Sequence, residues 1–308
     1  MAESATVRCA LGVVGDISVI IIIGVSSVLI RQLATPFHRG FFRDDESLMH
    51  PYHEGSTVPV AVLYGVGFAL PTLAIILIEG GWIRLAHNNN NNNSSSSAKA
   101  KRDLVKEWLW NVYRACLMFY FGVVVTHIST NVPKYAIGRL RPHFFTICAP
   151  DLSKVSPDKA YIEADICTGN DTAAIQEARV SFPSGHSSMA IFVSLFLALY
   201  LQRRFTWQGM ILLKPFLQTV FLLLAFYTCL SRISDYKHHW SDVLAGGLLG
   251  VIVAVLVVRN LWGMSETCLQ PQPDRSDSAS KGLLVQGTPS ASYHSTQTSQ
   301  PPPQSTAL

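Results

Sequence analysis

Charge is scarce in this chain. Only 14% of its 308 residues are Asp, Glu, Lys or Arg, while 49% are hydrophobic. Soluble domains carry about 25% charged residues, so the deficit argues against an ordinary water-soluble domain. Cysteine is sparse too, with six in the chain, and Cys9, Cys116, Cys229 and Cys268 show no metal-ligand spacing. A zinc-type centre is therefore not expected. No internal repeat is present, which excludes a solenoid.

What the chain does have is long apolar runs, near residues 10–30, 58–79, 112–132, 186–202, 214–231 and 240–262. Each is long enough to cross about 30 Å of hydrocarbon. None carries a charge deep in its centre, and the 186–202 run is the shortest. The expectation is an all-α integral membrane protein with six transmembrane helices, because an unpaired backbone is costly in lipid. The first run is longer than a signal-peptide core and no small-residue cleavage site follows it, so it reads as an uncleaved anchor. The bilayer is an expected partner, and nucleic acid is not.

Arg84, Lys99, Lys101, Arg102 and Lys106 share one side with Arg203, Arg204 and Lys214 by parity of the spans. The positive-inside rule makes that side cytoplasmic, together with both termini. Loops 31–57, 133–185 and 232–239 then face the lumen or the outside. Asn170-Asp171-Thr172 in the largest of them is a glycosylation sequon, usable only on that side. Cys148 and Cys167 share the same loop and can either pair in an oxidising compartment or stay free. The Asn/Ser tract within 88–100 is read as a disordered cytoplasmic linker. The Ser-, Thr-, Pro- and Gln-rich segment 263–308 is read as a disordered tail, leaving 1–262 as one membrane domain.

Ionisable residues cluster at the ends of the apolar runs, in Lys134-Tyr-Ala-Ile-Gly-Arg-Leu-Arg141-Pro142, Pro183-Ser-Gly-His186 and Arg232-Ile-Ser-Asp-Tyr-Lys-His238-His-Trp-Ser-Asp242. Such groups near membrane depth are functional by default. Parity puts all three segments on the luminal face. Lys134 and Arg141 are seven residues apart, which a helix would place on one face, although Pro142 disfavours helix at Arg141. Arg offers a planar fork for phosphate oxygens and Lys a point charge. Ser184 and Gly185 precede a helix start, where backbone N–H groups suit an anion. Arg232 adds a third cation. His238 and Asp242 are one helical turn apart, so the carboxylate can fix the tautomer and leave the other ring nitrogen to attack phosphorus. His186 is the candidate acid for the leaving alkoxide. Taken singly, an Arg-Pro is a snorkelling anchor, a Ser-Gly-His a helix cap and a His with Asp at i+4 a helix-face pair. Their order, spacing and shared face favour a joint site. His127 and His239 are read as ordinary histidines.

These segments resemble the three signature motifs of the type 2 phosphatidic acid phosphatase superfamily, Lys-x6-Arg-Pro, Pro-Ser-Gly-His and Ser-Arg-x5-His-x3-Asp, with every position matched. The span layout, and Arg39-Gly-Phe-Phe42 followed by Asp44, Asp45 and Ser47, are similar to the animal lipid phosphate phosphatases. The resemblance covers roughly residues 8–262. It implies a PAP2/haloperoxidase-like helical core and a magnesium-independent phosphatase without cofactor or metal. The implied substrates are phosphatidic acid, lysophosphatidic acid, sphingosine 1-phosphate and ceramide 1-phosphate, cleaved at the extracellular or luminal leaflet, with the plasma membrane as the expected location. It makes His238 the nucleophile, Asp242 its partner, His186 the general acid, and Lys134, Arg141, Ser184, Gly185 and Arg232 phosphate ligands. Asp44 and Asp45 are expected to be structural. The resemblance leaves room for a homo-oligomer. A non-catalytic lipid-binding scaffold and a polyprenyl-diphosphate phosphatase are the alternatives; the intact His186, His238 and Asp242 disfavour the first, and the first-loop pattern the second.

Overall fold

Six helices in the computed structural model are long and apolar enough to cross a membrane. Residues 2–91, 98–205 and 209–263 are described. The long helices are α1 (Ala2–Leu33), α2 (Val60–Asn91), α3 (Ala98–Ile137), α6 (Gly185–Arg204), α7 (Leu213–Ser234) and α8 (Trp240–Gly263). Between them lie β1 (Phe41–Phe42), β2 (Tyr161–Ile162) and two short helices, α4 (Phe144–Cys148) and α5 (Thr172–Glu177). The outward faces of α1, α2, α7 and α8 carry exposed Ile22, Leu77, Leu223 and Leu248, as a lipid-facing surface requires. The protein is a multi-pass, all-α membrane protein.

The shortest apolar run turns out to be the centre of the bundle. α6 packs against α2, α3, α7 and α8, and its Met189, Phe192, Phe196, Leu197 and Tyr200 join Phe119 of α3 and Ala254 of α8 in one core. A helix shielded by others needs less apolar surface than one facing lipid, so Ser187, Ser188 and Ser194 are tolerated and buried there. α8 reaches the backbone of α6 through Gly246 and Gly250, where a Cβ would collide with the Ser184 and Ser188 carbonyls. On the cytoplasmic side of the expected topology, Glu79 accepts from Tyr200 Oη at 2.5 Å and from Arg204 Nε at 2.7 Å, tying α2 to α6.

The segment 88–100 expected to be a disordered linker is helical where it is described. α2 runs on to Asn91 and α3 begins at Ala98, because extending an existing helix is far cheaper than nucleating one. Residues 92–97 and the tail from 264 lie outside the described residues.

The loops on the site face form their own small layer. β1 pairs antiparallel with β2, Phe41 opposite Ile162, over a cluster that includes Leu48, Leu140 and Phe144. Asp45 caps a short turn by accepting from Ser47 N at 3.1 Å and Ser47 Oγ at 2.6 Å, the structural part expected of it. Cys148 and Cys167 are disulfide-bonded. Asn170 is exposed, immediately before the Asp171 cap of α5.

Candidate active site

All three motif segments meet at one cavity of about 460 Å³, whose wall includes Lys134, Arg141, Gly185, His186, Arg232 and His238. The route by which Arg141 arrives differs from the helical-spacing expectation. α3 ends at Ile137 because Gly138 adopts φ +59°, a left-handed turn suited to glycine. The chain then doubles back, with Arg141 N donating to Ala178 O at 2.8 Å and Ser181 N to Arg139 O at 2.9 Å. Arg141 therefore enters from a loop, while Lys134 projects from the last turn of α3 with Nζ donating to Val180 O at 2.7 Å.

Arg232 lies in the last turn of α7, 3% exposed, with Nη1 3.6 Å from Asp235. Its Nε and Nη1, together with Arg141 Nε and His186 Nε2, are buried and lack a hydrogen-bond partner. Buried donors are normally satisfied, so this convergence suits an anion of tetrahedral oxygens. Arg141 Nη2 pairs with Glu177. Burial pushes the Glu177 carboxyl up, but the Arg141, Lys134 and Arg31 cations outweigh it and hold it below the usual range.

Ser184 is placed differently from expectation. It is the N-cap of α6, its Oγ accepting from Ser187 N at 3.4 Å, while its own N–H donates to Asp242 O at 2.9 Å. That N–H is not free for an anion. Gly185, one residue on, does line the cavity.

His238 and Asp242 are not a pair on one helix either. His238 lies in the turn before α8, and Asp242 in the first turn of α8. Their closest approach is 3.9 Å, between Nδ1 and Oδ2. Ser181 fills the interval: its Oγ donates to Asp242 Oδ2 at 2.6 Å and is 3.4 Å from His238 Nδ1. A proton on Nδ1 can thus point at Ser181, leaving the Nε2 lone pair for chemistry. Asp242 is fully buried and is also held by Arg139 Nη1 at 2.5 Å and by His239 N at 3.1 Å, the reach-back of a capping box. Burial lowers the His238 pKa well below that of a free imidazole; Asp242 opposes the shift, and the Arg141, Lys134 and Arg232 cations reinforce it.

Four residues of this site escaped the sequence reading. Arg139 lay inside the first motif segment but outside the resemblance pattern. Ser181 and Glu177 had no signal of their own. His143 follows Pro142 and lines the cavity; its Nδ1 is tied to Tyr236 O at 2.8 Å. Burial, opposed by that carbonyl and aided by nearby cations, lowers its pKa to about 4. His239 contacts Leu140 O at 3.1 Å, a packing role in line with its ordinary reading.

A six-helix membrane bundle with a cavity at its helix ends lined by cations and four histidines defines a class, and comparison supplies the family. The family model of the PAP2 superfamily matches residues 114–264. Phospholipid phosphatase 1 of Rattus norvegicus is 39% identical over 266 residues, covering 86% of this chain and 90% of that protein. Phospholipid phosphatase 2 of Bos taurus is 35% identical over 244 residues, covering 79% and 80%. No solved structure matches significantly. This chain belongs to the PAP2 superfamily.

Proposed function

We propose that this membrane-embedded phosphatase hydrolyses lipid phosphomonoesters, phosphatidic acid, lysophosphatidic acid, sphingosine 1-phosphate and ceramide 1-phosphate among them, through a phosphohistidine. The observation that carries the reading is the convergence of Lys134, Arg141 and Arg232 with two histidines on one cavity between membrane helices. Similarity to phosphatases named for phospholipids supports the substrate class.

In the first step His238 Nε2 attacks phosphorus and the P–O bond to the lipid breaks. His186 gives a proton to the departing alkoxide, which leaves as the lipid alcohol. In the second step His186 takes a proton from water, the hydroxide attacks phosphorus, and the P–N bond breaks to return His238 and inorganic phosphate. The three cations and the Gly185 N–H stabilise the charge on the equatorial oxygens. Asp242 and Ser181 hold the His238 ring in register. Fixed cations suffice for this charge stabilisation, so the reaction is expected to run without magnesium. The disulfide of Cys148 with Cys167 and the exposed Asn170 sequon support a luminal or extracellular site with both termini cytoplasmic, as at the plasma membrane.

The test is phosphate release from phosphatidic acid and sphingosine 1-phosphate in mixed micelles containing EDTA. Wild type should turn over and His238→Ala should not, while retaining lipid binding. Substantial activity in the variant removes His238 as nucleophile. Magnesium-restored activity rejects the metal-free scheme, and an inactive, well-folded wild type favours a lipid-binding scaffold.

A further inference from the structure

We infer that His127 donates a hydrogen bond to an uncharged oxygen of the substrate's lipid backbone, making it a specificity-determining residue; this rests on the lipid phosphomonoester reading. His127, Asn131 and Lys134 lie on one face of α3 and all line the cavity. The seven-residue step from Lys134 back to His127 is two helical turns, about 10 Å along the axis. His127 thus lies deeper among the helices than the phosphate-binding end, beside Leu63, Tyr64 and Met189 of the same cavity. A lipid whose phosphate sits among the cations would bring the atoms linking phosphate to alkyl chain into this stretch.

The hydrogen bonds around His127 define which nitrogen carries its proton. Asn131 Nδ2 donates to Ser27 Oγ at 3.1 Å and reaches the Ser27 carbonyl at 3.5 Å, so the amide nitrogen faces α1. Ser27 Oγ also lies 2.7 Å from His127 Nδ1. Asn131 Nδ2 is also 3.3 Å from Nδ1. An amide nitrogen can only donate, so we assign Nδ1 as the acceptor, with Ser27 Oγ as its second donor, and place the ring proton on Nε2. Nε2 has no protein partner among the described residues and is not among the sealed, unpartnered atoms. Because His127 lines the cavity, we place this N–H on it, at a depth where a polar group needs a partner. An uncharged N–H suits an ester carbonyl or a hydroxyl, while the cations at the other end take the phosphate. Ser27 is wholly buried, which fixes the ring and makes the donor preorganised.

The discriminating experiment compares phosphatidic acid with dodecyl phosphate, a phosphomonoester with no oxygen beyond the phosphate. Full-length wild type, His127→Leu and His127→Gln are assayed in the same micelles. Losing one hydrogen bond should lower kcat/KM of His127→Leu on phosphatidic acid about fivefold to tenfold, mostly through KM. Dodecyl phosphate should stay within about twofold of wild type, and His127→Gln, which keeps an N–H, should recover part of the loss. Equal losses on both substrates, or none on either, overturn the inference. If His127→Leu does not fold, Ser27→Ala, which releases the ring, must show the same substrate-selective loss; an unselective one overturns it. A wild type that cleaves dodecyl phosphate but not phosphatidic acid rejects the inference alone, whereas one that cleaves neither rejects the phosphatase reading and this inference with it.

Discussion

Arg139→Ala tests whether Asp242 acts through a network or merely packs. Asp242 has no solvent exposure, and Arg139 Nη1 contacts its Oδ1 at 2.5 Å while being 32% exposed itself. Removing one partner of a fully buried ion pair costs about 3–5 kcal/mol. Here Arg139 is partly exposed, water can replace it at Oδ1, and about 2 kcal/mol of lost stability is the reasonable figure. Oδ2 keeps Ser181 and His239, so the fold should survive. The functional effect has a definite sign. The His238 pKa is depressed in the folded protein, first by burial, and in the proposed mechanism only the neutral ring attacks phosphorus. Activity is therefore present above that pKa and lost as pH falls through it. Without Arg139 the Asp242 charge is less compensated, the imidazolium is favoured, and the acid limb of kcat/KM moves to higher pH. Losing a hydrogen bond to a charged group, about 1.5–3 kcal/mol, predicts roughly a tenfold to hundredfold fall in kcat/KM at neutral pH. Arg139→Lys, which keeps the charge, should leave the acid limb near that of wild type. The assay is a pH–rate profile on phosphatidic acid with thermal melts in the same detergent. An unmoved acid limb in a variant that melts lower would refute the electrostatic link and leave Arg139 a structural residue.

Two further outcomes follow from the loops. The bond of Cys148 with Cys167 closes a loop across a sequence separation of 19, worth about 3 kcal/mol; Cys148→Ser, or reductant on wild type, should lower the melting temperature and kcat/KM together, and an unchanged melt rejects a stabilising role. Glu177 pairs with Arg141 and, on the proposed function, would compete with phosphate for it, so Glu177→Gln should strengthen inhibition by vanadate about fivefold through a freed charge-assisted bond; equal or weaker inhibition would show that Glu177 instead positions Arg141.

The gathering of the candidate residues was legible in the sequence because membrane helices otherwise exclude ionisable groups. Lys134, Arg141, His186, Arg232, His238 and Asp242 stand out against apolar surroundings for that reason. Geometry was less legible. Helical spacing accounted for the Lys134–Arg141 and His238–Asp242 pairs too simply. Gly138 ends α3 between the first two, and the second pair straddles the start of α8. Ser181 was hidden because it meets His238 only through a fold-back 57 residues long in sequence. His127 looked ordinary because nothing local reveals that Ser27, 100 residues away, orients its ring.

The backbone explains how cations that repel one another stay together. Ser181 N binds Arg139 O, Ser184 N binds Asp242 O, and His238 N binds Arg232 O, at 2.9, 2.9 and 3.2 Å. These bonds tie the first motif segment to the stretch before the second, the second to the third, and Arg232 of the third to its own His238. Side chains alone would relax away from a crowded positive cavity, especially one with donors lacking protein acceptors. A backbone network cannot relax in that way without unmaking helix ends and the tight seat of Gly246 against Ser184. The site is therefore held in a fixed arrangement, and on the proposed function its charges would stabilise a transition state without reorganising. It also accounts for the location at helix ends: free N–H groups and turns are available there, while the alkyl chains of a substrate can remain among the helices.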